Sequence, residues 1–129
     1  METVKLCLEA FIETVDVMEV NPESMYESAK KGYVNATDLA DYLVVKGMAF
    51  RDAYNISGKI VSYCVGRGCA LEDLPLEEYK QFSPLIEADV HQRLSLHTCV
   101  ERRNSAGGTS PASVRKQIAY IRCLLQQEQ

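Results

Sequence analysis

The segment best suited to binding chemistry is RRNSAGGTS, residues 102–110. Its glycines let the backbone approach a ligand, the helix predicted to follow attracts anions to its N-terminus, and two arginines lie nearby. The segment is not a phosphate-binding P-loop, because no Lys-Ser/Thr pair follows the glycines, and Pro111 removes one amide that would face an anion. Two interpretations remain open: a structural linker, or a contact with an anionic substrate or a neighbouring subunit. The candidate contact residues are Arg102, Arg103, Asn104, Ser105, Gly107, Gly108 and Thr109.

Groups that could act in catalysis or metal binding are few. Glu87 and His91 are four residues apart and would share a helix face, but two ligands are too few for a zinc site. The acidic pairs at 72–73 and 77–78 lie in polar, turn-rich sequence with nothing apolar to raise a carboxyl pKa. We therefore interpret all of these as solvated surface, and predict no catalytic residue and no metal site on this chain.

Composition excludes several partner classes. The 129 residues carry a net charge of −4, and the longest basic runs are the pairs at 30–31 and 102–103, which disfavours nucleic acid. No apolar run approaches the ~20 residues that span a bilayer, and acidic residues interrupt the N-terminal segment where a signal peptide would need an apolar core. The five cysteines are odd in number and form no CxxC pair, which favours reduced thiols. These features predict a cytoplasmic protein without membrane contact, with Cys7, Cys64 and Cys123 packed as small hydrophobic residues in helices.

Apolar spacing and helix signals predict an all-α, compact domain of about six or seven helices, with a long helix at each end. Asn-Pro at 21–22 starts a second helix over 22–31, Asn35 caps a third that ends before Gly47, and a fourth runs from about Phe50 to the glycines at 66 and 68. A turn over 71–74 and short helices over 76–82 and 85–94 follow. Ser-Pro at 110–111 starts the last helix, expected to bury Val114, Ile118, Ile121 and Leu125.

The first helix carries a long apolar stripe made of Val4, Leu8, Phe11, Val15 and Met18. This spacing is typical of a helix seam. The second helix is too short to cover the stripe, so the first helix packs either on the last helix of its own chain or in an intermolecular bundle. Because no capping residue precedes it, the first helix could also be the stub of a longer one.

Several segments together resemble the C-terminal end of argininosuccinate lyase. The resemblance rests on TVKLCL (3–8), NATDLADYL (35–43), KGM (46–48), FR (50–51), GK (58–59), SPL (83–85), DV (89–90) and RNSAGGTSP (103–111). It implies a homotetrameric parent enzyme of the fumarase/aspartase-like superfamily, with long helices bundled at its centre. The implied reaction is a β-elimination that releases arginine and fumarate without any cofactor.

The resemblance also divides the chain and assigns its role. Residues 1–20 would be the end of a central-bundle helix truncated at Met1, and residues 21–129 the C-terminal helical domain. The family's signature serine loop and catalytic histidine regions do not occur here, so no catalytic residue is carried over and the chain alone is predicted to be inactive. The chain would serve structure, as a small lid beside the active-site cleft, and subunit contacts. Its expected partners are the rest of the lyase and sister subunits, and alone it would self-associate through the first helix. The alternative is a free-standing helical interaction module.

Overall fold

The computed structural model describes residues 2–127 and contains only helices and turns over that range. The helices are α1 (Glu2–Asp16), α2 (Pro22–Lys31), α3 (Ala36–Val45), α4 (Phe50–Arg67), a 3₁₀ turn (Leu71–Asp73), α5 (Leu76–Phe82), α6 (Val90–Leu94), α7 (Leu96–Glu101) and α8 (Pro111–Gln127). The all-α prediction is confirmed. Residue 1 of the expected first segment and residues 128–129 of the expected second lie outside the described range.

Local chemistry sets several helix ends where the sequence predicts them. The side chain of Asn21 accepts a hydrogen bond from the Ser24 amide at 3.0 Å, and Pro22 occupies the first turn of α2. The helix α4 ends at Gly68, which has a φ of +67° in the left-handed region. A residue with a Cβ would be strained there, so glycine allows the chain to leave the helix.

The hydrophobic core is formed mainly by α3 and α4, with the 3₁₀ turn, α5 and α6 packed around them. The Ser57 hydroxyl of α4 donates to the Ala36 carbonyl at 2.7 Å, which ties α4 to the start of α3. The buried apolar members are Leu39, Ala40, Tyr42, Leu43, Ala53, Ile60, Cys64, Leu71, Leu74, Tyr79, Ile86, Val90 and Leu94. The core therefore lies within residues 39–94.

The predicted helix over 85–94 is wrong in its first half, since residues 83–89 form turns and α6 begins at Val90. Ser83 is buried, and its side chain accepts a hydrogen bond from the Leu85 amide at 3.3 Å. The Glu87 amide donates to the Tyr42 hydroxyl at 3.1 Å. In a helix these two amides would donate to backbone carbonyls. Because side chains accept their hydrogen bonds instead, the turn is favoured over the helix. The additional short helix α7 brings the described part of the chain to eight α-helices, one more than the upper expectation.

The end helices bury almost nothing in the described chain, so α1 does not pack on α8 as one of the two alternatives had it. The helix α1 ends at Asp16, so Met18 of the predicted stripe lies beyond it. The β-branched residues at 15, 17 and 20, together with Pro22, disfavour continuation of the helix. No residue of α1 is buried within residues 2–127, and its stripe is 50–68% exposed. The prediction that α8 buries its apolar stripe is also wrong. Ser113 is the buried residue of α8, and the stripe of Val114, Ile118, Ile121 and Leu125 is 39–59% exposed.

Candidate functional site

The loop of residues 102–110, here called the glycine loop, is anchored to the core through Arg103. The Arg103 guanidinium donates to Asp38 Oδ2 at 2.8 Å. Asp38 lies in the first turn of α3, where the positive end of the helix favours a carboxylate, and its side chain is only 7% exposed. One arginine of the predicted pair is therefore committed to an internal ion pair rather than free for a ligand.

The two glycines of the loop have different structural roles. Gly107 adopts a φ of +77°, with open space around the position of a Cβ. At Gly108 an added Cβ would lie 2.2 Å from the Arg103 carbonyl oxygen and 2.9 Å from that of Ser105. The close packing of backbone on backbone at Gly108 closes the loop, and the Ser110 amide completes it by donating to the Arg103 carbonyl at 3.1 Å.

The start of α8 is capped by its own chain. The Ser110 hydroxyl accepts from the Ser113 amide at 3.2 Å, and the Ser110 carbonyl accepts from the Val114 amide at 2.9 Å. Pro111 has no N–H to offer. These bonds leave few amides for an anion, so the geometry favours a structural role for the helix N-terminus over a phosphate-type site.

An open groove of about 330 Å³ separates the loop from α8. It is lined by Asn104, Ser105, Ala106, Gly107, Ser113, Lys116, Gln117 and Tyr120. Arg102 instead borders a second cavity, of about 170 Å³, beside Tyr42 and Arg93. The structure thus brings three of the seven candidate contact residues together in the groove: Asn104, Ser105 and Gly107. Arg102 and Arg103 point to other partners, Gly108 lies in the loop closure and Thr109 is exposed.

A polar network joins α3 to the turn before α6, and no spacing or motif in the sequence predicts it. The Tyr42 hydroxyl donates to Asp89 Oδ1 at 2.6 Å, and Lys46 pairs with both Glu87 and Asp89. The hydrogen bond from Tyr42 holds the pKa of Asp89 below its usual value, while burial and the bond to Asp89 raise the pKa of Tyr42. The bonded partners of this network, Tyr42 with Asp89 and Lys46 with Glu87, are more than 40 residues apart in sequence. An amphipathic pattern shows that Tyr42 is buried but not what its hydroxyl meets.

The histidine and acidic candidates are structural. His91 does not lie on a solvated helix face as predicted, because its Nε2 lies 2.8 Å from the Leu74 carbonyl and its ring stacks edge-on against Tyr79. Glu87 precedes α6 and shares no helix face with it. Glu72 accepts from the Leu96 amide at 2.8 Å, so it too belongs to the packed structure rather than to the surface.

Two of the other acidic candidates form ion pairs, whereas Glu77 is exposed on the surface as predicted. Asp73 pairs with Lys30 at 3.1 Å, and Glu78 pairs with Arg67. Over residues 2–127 no three potential metal ligands cluster, and no helix in that range is long and apolar enough to cross a bilayer. The prediction of no catalytic group on this chain stays a prediction.

Many large apolar side chains are exposed outside the core, among them those of α1 and α8. The accessible surface is 9679 Å², whereas a compact monomer of 14.5 kDa exposes about 6,900 Å². Besides α1 and α8, a groove of about 400 Å³ between α2, α7 and the start of α8 is lined by Met25, Tyr26, Ala29, Val34, Leu96, His97, Val100, Glu101 and Pro111. Cys7 and Cys123 lie exposed on α1 and α8, contrary to the expectation that they pack as small hydrophobic residues, whereas Cys64 is buried as expected.

Comparison with known proteins finds one family. Residues 33–101, which include the whole buried core, match the family described as "Argininosuccinate lyase C-terminal". The chain is 51% identical over 122 residues to an argininosuccinate lyase of Caldicellulosiruptor bescii, covering 95% of this chain and 26% of that protein. It is 48% identical over 119 residues to that of Symbiobacterium thermophilum, covering 92% and 26%, and 46% identical over 127 residues to that of Clostridium botulinum, covering 98% and 27%. The chain spans about a quarter of the length of these relatives.

Proposed function

The chain belongs to the argininosuccinate lyase family, whose C-terminal domain it matches, and from this premise we propose that it serves as that domain in an enzyme cleaving argininosuccinate to arginine and fumarate. The observation that carries the proposal is the match over residues 33–101 together with identities near 50% along almost the whole chain. In the proposed reaction a base removes a proton beside a carboxylate and the C–N bond breaks, with no metal or organic cofactor. We place the enzyme in the cytoplasm, in keeping with five unpaired cysteines.

In this proposal the chain contributes structure and subunit contacts, and the catalytic groups lie on other parts of the lyase. Its polar side chains support this division of labour, since Arg103, Glu72 and His91 are each held by internal partners. The groove beside Asn104 and Ser105, with Lys116 at its edge, is the proposed contact with the substrate or with another segment of the enzyme.

The face of α1 formed by Val4, Leu8, Phe11, Val15 and the adjoining Met18 is the proposed surface for sister subunits in a homotetramer. The chain exposes roughly 2,800 Å² more than a compact monomer of its mass. Obligate interfaces bury about 1,000–2,500 Å² on each subunit, so this excess is large enough for at least one such contact. The chain by itself should therefore associate in a concentration-dependent way.

Replacing a relative's domain tests the proposed function directly. The segment of the Caldicellulosiruptor bescii lyase that aligns with this chain is exchanged for residues 1–129, and fumarate formation from argininosuccinate is followed by absorbance. We expect the chimera to turn over substrate and the 129-residue chain alone to give no fumarate. A chimera that folds and assembles like the parent but is inactive would refute the proposed domain role and favour a free-standing interaction module. Turnover by the chain alone would refute the placement of the catalytic groups elsewhere.

The contact surfaces are tested by paired substitutions. In the chimera, Asn104→Ala should lower kcat/KM, whereas the same amide removal at exposed Gln92 on α6 should not; equal effects would refute the loop contact. In the isolated chain, Phe11→Asp should weaken association in sedimentation. Glu13 lies on the opposite face of α1, so Glu13→Gln is the matched control. Association unchanged by Phe11→Asp would exclude α1 as the subunit surface.

A further inference from the structure

The end of α4 holds two cysteines close together. The Cys69 amide donates to the Cys64 carbonyl at 3.1 Å and the Gly68 amide to the Val65 carbonyl at 3.2 Å, the paired bonds of a Schellman motif. In this motif the side chains of the first and last residues meet on one side of the helix end. Standard bond lengths around a bond of 3.1 Å place the two Cα atoms at most about 7 Å apart, close to the range that disulfides span.

The two cysteines differ in access to solvent. Cys64 is fully buried in the core, and burial, followed by the nearby Cys69 thiol, raises the pKa of Cys64 to about 12. Cys69 is partly exposed and lines an open cavity of about 370 Å³ together with Tyr33 and the Lys30–Asp73 ion pair. A small polar oxidant can therefore reach Cys69 directly but not Cys64.

We propose that Cys64 and Cys69 form a reversible redox pair that a hydroperoxide converts into an intramolecular disulfide. The Cys69 thiolate attacks one peroxide oxygen and cleaves the O–O bond, giving a sulfenic acid at Cys69 and releasing hydroxide. The Cys64 sulfur then attacks the Cys69 sulfur, and its proton leaves with the displaced hydroxyl as water. Overall, two thiols lose two electrons and two protons, and hydrogen peroxide is reduced to two molecules of water.

The fold gives such a bond a structural consequence. The Tyr33 hydroxyl donates to the Cys69 carbonyl at 2.9 Å, and the 3₁₀ turn begins two residues later at Leu71. A disulfide would fix the chain between the end of α4 and this turn, where the backbone now depends on Gly68 and two hydrogen bonds. The other three cysteines have no such neighbour among the described contacts: Cys7 and Cys123 are exposed on separate helices, and Cys99 is buried beside Asp38.

The experiment treats the reduced, full 129-residue chain with hydrogen peroxide and maps its peptides by mass spectrometry. We expect one product in which the peptides containing Cys64 and Cys69 are joined, with the loss of two hydrogen atoms, and complete reversal by dithiothreitol. In Cys64→Ala the Cys69 sulfenic acid should persist and be trapped by dimedone. In Cys69→Ala the joined peptide should be absent and Cys64 should stay reduced.

The control variant Cys7→Ser removes an exposed thiol that has no role in the proposal, and it should form the joined peptide at the rate of the parent chain. Circular dichroism of each variant checks that α4 remains folded; because Cys69 is partly exposed, Cys69→Ala keeps the test decisive if Cys64→Ala unfolds. A chain that oxidises at Cys7 or Cys123 while Cys64 and Cys69 stay reduced would overturn the proposal. So would a Cys69 that is oxidised past the sulfenic acid without ever joining Cys64.

Discussion

The backbone contact at Gly108 makes a quantitative prediction about the glycine loop. In Gly108→Ala the new Cβ would lie 2.2 Å from the Arg103 carbonyl oxygen, a backbone atom that cannot rotate away. The loop must therefore open, and it loses the bonds from the Ser110 amide to Arg103 and from the Gly108 amide to Ser105. At about 1 kcal/mol per hydrogen bond, the free energy of unfolding should fall by about 2 kcal/mol. The loop can open without unfolding the core. The loss in the free energy of unfolding therefore cannot exceed what the closed loop contributes to it.

The assay is urea unfolding followed by far-UV circular dichroism, with thermal unfolding as a second measure. A loss of 2 kcal/mol corresponds to a fall in Tm of roughly 6–10 °C for a chain of this length. Gly107→Asn is the matched control, because a side chain there meets nothing within 4 Å and asparagine tolerates a positive φ; it should change stability by only a few tenths of a kcal/mol. A neutral Gly108→Ala, or equal losses in both variants, would refute the close packing of the loop on itself.

Three further predictions concern the core and its attachments. Tyr42→Phe should destabilise by about 1–2 kcal/mol, since it removes one hydrogen bond to Asp89 and one from a backbone amide. The pKa of Asp89 is lower in the folded than in the unfolded chain, so its ionised form stabilises the fold. This stabilisation is present above the unfolded pKa of about 4 and is lost as the pH falls through the folded pKa. Urea unfolding over this acid range should therefore show a smaller decrease in the free energy of unfolding for Tyr42→Phe than for the parent chain. Arg103→Ala leaves the nearly buried Asp38 carboxylate unpaired and should cost about 2–3 kcal/mol in urea unfolding, part of which Asp38→Asn restores in the double variant; additive losses would contradict the pairing. In hydrogen exchange, amides of α4 should exchange only with global unfolding, whereas those of α1 should exchange by local fraying in the dissociated chain, and equal protection would contradict the exposure of α1.

Elements fixed by local chemistry could be predicted from the sequence. The bounds of α2 follow from Asn21, Pro22 and Gly32, and those of α4 from its apolar spacing and Gly68. The helix predicted from residue 85 failed because its competitor is not local. The turn over 83–89 is held partly by Tyr42, which is more than 40 residues away and belongs to another helix. Sequence spacing carries no information about such a partner.

The candidate site shows the same division. Glycines, arginines and a Ser-Pro start correctly identify a loop that enters α8, since each residue type has a local conformational meaning. The destinations of the two arginines depend on the tertiary fold: Arg103 meets Asp38, 65 residues away, and Arg102 faces a different cavity. The proximity of Cys64 and Cys69, by contrast, depends on local structure. It follows from the backbone geometry of a helix end that Gly68 marks in the sequence. A Schellman end with a cysteine at both contact positions could have been found from sequence alone.

The distribution of burial ties these observations to the proposed role. The buried apolar residues lie in residues 39–99, inside the segment that matches the family domain, so this part can hold its fold through its own core. The end helices have the same apolar spacing but bury almost nothing, with Ser113 as the buried residue of α8 and none in α1. Periodicity shows that a helix has an apolar face but not whether the covering surface belongs to the same molecule. The core is complete within one chain, but the apolar faces of the two end helices are left uncovered. This arrangement is expected of a domain that packs against the rest of a larger assembly.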